Sequence, residues 1–226
     1  MNKTRVALAW SGGKDSSLAL AALRSDPALE VIALLTTVTG DFDRISIHGV
    51  RRAILDAQVQ AIGLPLIESV IPPGATNAIY EQALADALAE LRRRHPGLHH
   101  LAFGDLFLTE VREYRESLLS RLGWTPLFPL WGRDTGRLAQ KFIEAEYRAV
   151  LTCVDTTQLS AEFAGRNFDA SLLAELPGSV DPCGERGEFH TCVYEGPIFK
   201  ERLTLARGER LRRDDRFEYC DFSLSP

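Results

Sequence analysis

Residues 10–17, with the sequence WSGGKDSS, have the composition of an anion-binding loop. Two adjacent glycines allow a tight turn and let the backbone approach an anion without a Cβ in the way. Three serine hydroxyls can donate hydrogen bonds, and Lys14 supplies a positive charge. Asp15 can cap the helix that follows or help to hold Mg²⁺. This segment therefore predicts a phosphate-binding site.

The position of the loop supports this interpretation. It follows an apolar run at residues 5–10 and precedes a helical pattern at residues 15–24. The first turn of a helix carries unpaired N–H groups and the positive end of the helix dipole, which favour an anion. The loop sequence matches neither the Walker A motif GxxxxGK(S/T) nor the dinucleotide-binding motif GxGxxG. An ordinary Gly/Ser turn is the alternative, but the strand before it and the helix after it favour phosphate binding.

A glycine–aspartate pair, Gly104 and Asp105, follows another apolar run. A carboxylate at the end of a strand can bind Mg²⁺ or orient a substrate, although it can also cap the next helix. That helix carries Arg112, Arg115 and Glu116, whose spacing lets them share one face. The side chains of this face could contact a substrate or could simply form ion pairs with one another in solvent.

Other candidates lie after the second apolar run, residues 31–37. Thr36 and Thr37 end this run and are expected at the carboxyl edge of a sheet, where open α/β sheets bind ligands. His48 precedes a helical pattern and is a candidate for substrate contact, although a histidine there is commonly a cap or a surface residue.

The most unusual stretch is residues 181–191, DPCGERGEFHT. Glu185 and Glu188 could bind a cation, accept protons or hold a substrate amine. His190 could act as a base or contact an anion near neutral pH. An exposed turn with solvated charges is the alternative. We expect this polar loop to close over a substrate.

The elements that must position these residues alternate along the first part of the chain. The apolar runs lack strict alternation, as in strands buried on both faces of a parallel sheet. The predicted strands are residues 5–10, 31–37, 66–71 and 101–103, and the predicted helices are residues 15–24, 50–62, 77–93 and 110–122. This order predicts an α/β fold with a parallel twisted sheet and helices on both faces.

The pattern changes near residue 130, after two prolines and before a Trp-Gly pair. The later elements are predicted as helices at residues 138–147 and 169–175, a strand at 149–154, and β-like segments at 188–194, 198–206 and 216–222. We therefore expect two domains. Residues 1–130 would form the α/β domain with the phosphate loop, and residues 131–226 a smaller α+β subdomain that binds the substrate.

The bulk composition argues against several classes of function. The chain has 226 residues, of which 45% are hydrophobic and 25% charged, as in ordinary globular proteins. A net charge of −5 provides no basic field for nucleic acid or anionic lipid. No apolar run reaches bilayer length, and the N-terminal residues do not form a signal peptide pattern. Four cysteines without CxxC or zinc spacing predict reduced thiols in a cytoplasmic protein.

Several of these segments together resemble a known family. Residues 11–16, SGGKDS, resemble the signature of the PP-loop ATP pyrophosphatases of the adenine nucleotide alpha hydrolase superfamily. With Gly104-Asp105, FPLW at 128–131, CGERGEFHT at 183–191 and YEGP at 194–197, the chain resembles the diphthine–ammonia ligase-like family from about residue 5 to residue 205. With histidine at position 190, the motif resembles that of a bacterial branch of the family. Diphthine ligases carry glutamate at this position.

The resemblance implies an AMP-forming ATP-dependent ligase. The loop would hold the β and γ phosphates of ATP with Mg²⁺, and a substrate carboxylate would attack the α phosphorus. Ammonia or an amine would then displace AMP. The implied ATP-binding residues are Ser11, Gly12, Gly13, Lys14, Asp15, Ser16, Ser17, Thr36, Thr37 and Gly104. The implied catalytic residues are Lys14, Asp15, Asp105, Glu185, Glu188 and His190; Asp15 and Asp105 would hold the metal, and His48, Arg112, Glu116 and Thr191 the substrate.

Two alternatives remain open at this level. A tRNA-modifying PP-loop enzyme would need a catalytic cysteine pair, for which Cys183 and Cys192 are candidates, and a basic surface for RNA. A non-catalytic ATP- or AMP-binding module would explain the phosphate loop but not the charged C-terminal segment. The acceptor, a small-molecule or protein carboxylate, and the formation of a homodimer are not specified by the residues. Diphthine itself does not carry over to the bacterial branch.

Overall fold

The computed structural model describes residues 3–40, 44–45 and 49–225. Within these residues the chain forms two sheets. The first has six strands: β1 (Thr4–Ala9), β2 (Leu29–Thr39), β3 (Arg44–Ile45), β4 (Leu66–Ile71), β5 (His100–Ala102) and β6 (Thr125–Leu127). Its order is β3-β2-β1-β5-β6, with β4 paired to β2. All described strand pairings in this sheet are parallel except that of β3, which is antiparallel to β2.

Four helices cover this sheet: α1 (Lys14–Ser25), α2 (Arg52–Ile62), α3 (Asn77–Arg94) and α4 (Thr109–Arg121). Successive side chains of a strand point to opposite faces. Val6 and Leu8 of β1 accordingly pack in one cluster with α1 and α2, whereas Ala7 packs in another with α3 and α4. The predicted parallel sheet with helices on both faces is confirmed.

The second sheet contains β7 (Arg148–Asp155), β8 (Phe189–Glu195), β9 (Leu205–Arg213) and β10 (Phe217–Leu224). Its order is β8-β7-β10-β9, and all its pairings are antiparallel. Two helices accompany it, α5 (Thr135–Glu144) and α6 (Ala170–Glu175), with a 3₁₀ turn at Ala161–Phe163. Its core residues, such as Leu151 and Val193, belong to the same cluster as Val6 of the first sheet. The expected smaller α+β part is therefore present, and its core is continuous with that of the first sheet.

Three segments differ from the expected elements. Residues 198–206 were expected to be β-like, but the strand there begins only at Leu205. The short strands β3 and β6 were not predicted, because two or three residues are too few to show a periodic pattern. β6 contains Pro126 and lies at the edge of the sheet, where a residue without an N–H is tolerated. The division at residue 130 falls between the two sheets and stays a proposal.

A buried glutamine joins the two sheets at the phosphate loop. The Gln58 side chain on α2 is fully buried, and its Nε2 donates to the carbonyls of Gly12 (3.0 Å) and Val193 (2.7 Å). Its Oε1 accepts from the Trp10 indole N–H at 3.2 Å. The Val193 N–H of β8 also donates to the Gly12 carbonyl at 2.9 Å. One side chain thus bonds the end of β1, the loop and β8.

Replacing Gln58 with leucine should lower the free energy of unfolding by about 1–3 kcal/mol, because it leaves buried polar groups without their partner. Urea denaturation measures this loss. The matched control is Gln82→Leu on the exposed side of α3, where the glutamine bonds only to Asp86. This control should change stability by less than about 0.5 kcal/mol. Equal effects of the two substitutions would show that Gln58 does not join the sheets.

None of the described helices is long and apolar enough to cross a membrane.

Candidate active site

A cavity of about 440 Å³ opens where β1, β2 and β5 end. This is the carboxyl edge of the sheet, where ligands of open α/β folds bind. The cavity is lined by residues of the phosphate loop, of these strand ends and of the segment around the start of β8. They include Ser11, Lys14, Asp15, Ser16, Thr36, Thr37, Gly104, Asp105, Arg115, Glu185, His190 and Thr191. The cavity therefore brings together most of the residues singled out in the sequence, although they span 180 positions.

The two loop glycines have a role that the sequence did not indicate. Gly12 adopts a φ of +75°, which strains other residues, and a Cβ there would lie 2.6 Å from Gln58 Oε1. A Cβ on Gly13 would lie 3.1 Å from the Thr191 carbonyl oxygen. Neither glycine is among the cavity-lining residues. These glycines let the C-terminal sheet approach the loop, in addition to any contact with a phosphate.

The serines of the loop divide into two groups. The Ser11 and Ser16 hydroxyls lie 3.2 Å apart, and both residues line the cavity. Ser17 is fully buried outside the lining, and its hydroxyl donates to the Gly13 carbonyl at 2.9 Å. Ser11 and Ser16 can therefore reach a ligand, whereas Ser17 holds the first turn of α1.

Lys14 is buried between the loop and the second domain. Its Nζ lies 2.8 Å from Asp15 Oδ2, and 5.6 Å and 5.9 Å from the ring centroids of Phe189 and Phe168. Burial lowers the pKa of Lys14, but the neighbouring Asp15 carboxylate raises it and leaves it above the ordinary value. The ammonium is therefore charged at neutral pH and places a positive charge beneath the cavity.

The end of β5 approaches the phosphate loop closely. A Cβ on Gly104 would lie 2.9 Å from the backbone carbonyl carbon of Asp15, so glycine is needed there. Asp105 follows and forms an ion pair with Arg115, with Nε and Oδ2 2.7 Å apart. The guanidinium of Arg115 lies 4.2 Å from the Phe103 ring centroid. A carboxylate and a guanidinium are thus presented together at the cavity wall.

Arg115, which the sequence placed on one face with Arg112 and Glu116 without giving it a site role, lines the cavity. Two residues of that face that were given a substrate role lie elsewhere. Arg112 pairs with Glu116 at 2.7 Å, and its guanidinium stacks near the rings of Phe128 and Trp131 at 4.9 Å and 4.7 Å. Neither Arg112 nor Glu116 lines the cavity, so their expected contact with the substrate is not supported. The three-residue offset between Arg112 and Arg115 was visible in the sequence, but the sequence does not show which side of α4 faces the cavity.

The segment before β8 and the first residues of β8 supply the opposite wall. Glu185 Oε1 accepts a hydrogen bond from the Leu106 N–H at 2.7 Å. Burial raises the pKa of Glu185 to about 7, and the nearby carboxylates of Asp15 and Asp105 add to the increase. The Thr191 hydroxyl accepts from the Lys14 N–H at 3.1 Å and so bonds directly to the start of α1. His190 also lines the cavity.

Glu188 is placed differently from the expectation. Its side chain is buried, and its two carboxylate oxygens accept from the N–H groups of Asp181 (2.8 Å) and Arg186 (2.9 Å). It does not line the cavity. Glu188 therefore holds the turn that presents Glu185, and its catalytic role stays a prediction. His48, another selected residue, lies outside the described residues.

The lining is also suited to a nucleotide base. Thr36 Oγ1 is buried without a hydrogen-bond partner among the described residues, and Thr36 lines the cavity. Apolar side chains surround it, including Leu35, Leu84 and the ring of Tyr80, which the sequence did not single out. A base bound in this part of the cavity could satisfy the Thr36 hydroxyl with a polar atom at its edge.

The metal expectation rests on two carboxylates. Asp15 and Asp105 both line the cavity, and the described residues contain no group of three or more His, Cys, Asp or Glu side chains that could hold a metal. Mg²⁺ is commonly bound by one or two carboxylates together with water and substrate phosphates. The pair therefore fits a metal that arrives with a nucleotide.

The cysteines do not fit a catalytic role. All four are free and buried. Burial raises the pKa of both Cys183 and Cys192 to about 12, so neither forms a thiolate readily at neutral pH. This argues against the cysteine-dependent tRNA-modifying alternative.

Comparison with protein families gives the same result for both halves of the chain. The model of the diphthamide synthase N-terminal domain matches residues 4–126, and that of the diphthamide synthase C-terminal domain matches residues 134–222. The chain belongs to the diphthamide synthase family. The resemblance noted in the sequence is therefore confirmed at the level of the family, and its bacterial branch stays a prediction.

Curated relatives support this membership. The chain is 28% identical to the diphthine–ammonia ligase of Schizosaccharomyces pombe over 88% of its own length, but this match spans only 36% of the yeast protein. It is 26% identical to the diphthine–ammonia ligases of Bos taurus and Homo sapiens, each over 91% of this chain and 84% of the relative. The chain thus spans about a third of the yeast relative and most of the two mammalian ones.

The raised pKa of Glu185 predicts a pH-dependent stability. Its ordinary pKa of 4.5 applies to the unfolded chain, so between about pH 4.5 and 7 the folded state binds the extra proton. Stability contributed by this group therefore falls as the pH rises through that window. Glu185→Gln removes the titration and keeps an acceptor for the Leu106 N–H. Relative to the variant, the wild type should lose stability between pH 5 and pH 8, measured by urea denaturation.

The control for this experiment is Glu113→Gln, the same exchange at an exposed position of α4. The stability difference between the wild type and this variant should stay nearly constant from pH 5 to pH 8. A Glu185→Gln difference that is equally constant would contradict the raised pKa.

Proposed function

We propose that this chain is an ATP-dependent, AMP-forming ligase that adenylates a substrate carboxylate and then amidates it. The observation that carries the proposal is the single cavity in which the phosphate loop faces the Asp105–Arg115 pair and Glu185. Membership of the diphthamide synthase family supports it, and so do the relatives named as diphthine–ammonia ligases.

In the first step, the β and γ phosphates of ATP would lie at the N-terminus of α1. The Ser11 and Ser16 hydroxyls line the cavity at that point and can donate to phosphate oxygens. The Lys14 ammonium lies behind them, held by Asp15. The adenine would lie near Leu35, where the Thr36 hydroxyl can bond to its edge. In this orientation the α phosphate would face the wall that carries Asp105, Arg115 and Glu185.

Asp15 and Asp105 would hold Mg²⁺, which supplies positive charge against the phosphate oxygens. The substrate carboxylate oxygen then attacks the α phosphorus, and the bond from that phosphorus to the β-bridging oxygen breaks. Pyrophosphate leaves with the electron pair, and an acyl adenylate remains. The Arg115 guanidinium and the α1 N-terminus are positioned before the reaction to stabilise this developing charge.

In the second step, ammonia or an amine attacks the acyl carbon and AMP leaves. The attacking nitrogen must lose a proton. Glu185 can accept it, because a carboxylate whose pKa is near 7 is an efficient base at neutral pH. His190 lines the same wall and would contact the acceptor. The acceptor would be a small-molecule or protein carboxylate.

The products of the reaction test this mechanism. Purified protein, α-labelled ATP, MgCl₂ and ammonium chloride are incubated with a panel of carboxylates, and the nucleotide products are separated. AMP and pyrophosphate should form in equal amounts, and only with a carboxylate that is amidated. Formation of ADP and phosphate would rule out attack at the α phosphorus. Tight ATP binding without AMP formation across the panel would favour the non-catalytic module.

Asp105→Asn should reduce AMP formation by about 10- to 1000-fold, because it removes a carboxylate from the cavity wall and leaves Arg115 without its ion pair. Steady-state rates measure the loss, and circular dichroism checks the fold. Asp56→Asn, the same exchange on the exposed side of α2, serves as the control and should keep the wild-type rate. Equal rates for the two variants would remove Asp105 from the mechanism.

A further inference from the structure

A second cavity, of about 360 Å³, lies beside the first. It is bounded by the segment after β4, by β3 and by the β9–β10 hairpin of the second sheet. Its volume is within the range of small-molecule sites, about 300–1,000 Å³. The proposed reaction does not use any residue that lies in this cavity alone.

The two cavities share part of their walls. Ile45 of β3 and Ile71 at the end of β4 line both of them. The two cavities therefore adjoin at these two side chains. The proposed function places ATP in the first cavity, and the adjoining space is then left for the acceptor.

The lining of the second cavity favours an apolar ligand. Pro72, Pro73, Leu211 and Tyr219 contribute apolar surface. Leu211 is 54% exposed and adds an apolar side chain to this wall. β9, which carries it, is otherwise a highly charged and exposed strand.

Several charged groups in the wall are paired within the protein. Asp221 accepts hydrogen bonds from Arg44 at 2.8 Å and also from Arg51. These two guanidinium groups hold the pKa of Asp221 below its usual range, to about 2, against the effect of burial. The guanidinium of Arg213 lies 5.6 Å from the centroid of the Tyr219 ring. A charged ligand would have to compete with these contacts, whereas an apolar one would not.

We propose that the second cavity binds the apolar body of the acceptor, while its carboxylate passes between Ile45 and Ile71 to reach the α phosphate. The acceptor class is then a carboxylate carried on an apolar body, not a small polar acid. This inference rests on the proposed function and specifies its substrate.

The probes are acetate and octanoate, a carboxylate without and with an apolar body. Their binding to the full chain is measured by calorimetry in the presence of Mg²⁺ and α,β-methylene ATP, which cannot be split at the α phosphorus. Octanoate should bind at least tenfold more tightly than acetate, because each buried methylene adds to the affinity. Equal dissociation constants for the two acids would overturn the proposal.

Leu211→Glu places a charge in the apolar wall and should weaken octanoate binding at least tenfold, with no change for α,β-methylene ATP. Leu224→Glu is the matched control, since Leu224 is also an exposed leucine of the hairpin but lines neither cavity. It should leave both affinities unchanged. Equal octanoate affinities in the two variants would also overturn the proposal.

An AMP-formation assay with octanoate and ammonium chloride separates this inference from the proposed function. Equal AMP formation from acetate and octanoate would retain the ligase and remove the second cavity from it. If octanoate binding depends on Leu211 but no carboxylate gives AMP, the proposed ligase activity is wrong. The assignment of the second cavity to an acceptor is then wrong as well. AMP formation with octanoate that is lost in Leu211→Glu supports both.

Discussion

The candidate site depends on the contact between β8 and the phosphate loop. The Gly12 carbonyl accepts from the Val193 N–H, and the Lys14 N–H donates to the Thr191 hydroxyl. Buried backbone groups are costly when unpaired, so these bonds hold the loop in one conformation. Gly12 and Gly13 allow the close approach, because a Cβ at either position would crowd Gln58 or Thr191. The anion-binding end of α1 is therefore shaped by residues almost 180 positions away in the chain.

The charged groups around the cavity are largely paired with one another. Lys14 is paired with Asp15, and Arg115 with Asp105, so two cations and two carboxylates balance within the walls. Glu185 is the additional carboxylate, and burial near the other two raises its pKa to about 7. An anionic nucleotide with its metal would enter a site that already presents positive charge and hydroxyl donors on one side. The proton acceptor proposed for the second step lies on the other side, supported by the buried Glu188 turn.

Family membership and geometry contribute different parts of the functional argument. The diphthamide synthase models match residues of both sheets, so both parts of the chain belong to the family. The acceptor is less constrained, because sequence identities of 26–28% leave room for different side chains around it. His190, at the position where the resemblance predicts glutamate in diphthine ligases, lines the cavity. The neighbouring cavity beneath the β9–β10 hairpin provides space for an acceptor larger than its carboxylate.

The sequence by itself determined the features that depend on local pattern. Apolar runs and helical periods located most strands and helices, because backbone propensity and burial act over a few neighbouring residues. The glycine–serine loop between β1 and α1 predicted a phosphate site, which stays a proposal. Only the tertiary structure decided which of two similar side chains faces the cavity. Glu185 lines it whereas Glu188 binds backbone amides, and Arg115 lines it whereas Arg112 stacks on aromatic rings. Those outcomes depend on how distant elements pack, since a shift of three residues along a turn or a helix changes the partner that a side chain meets.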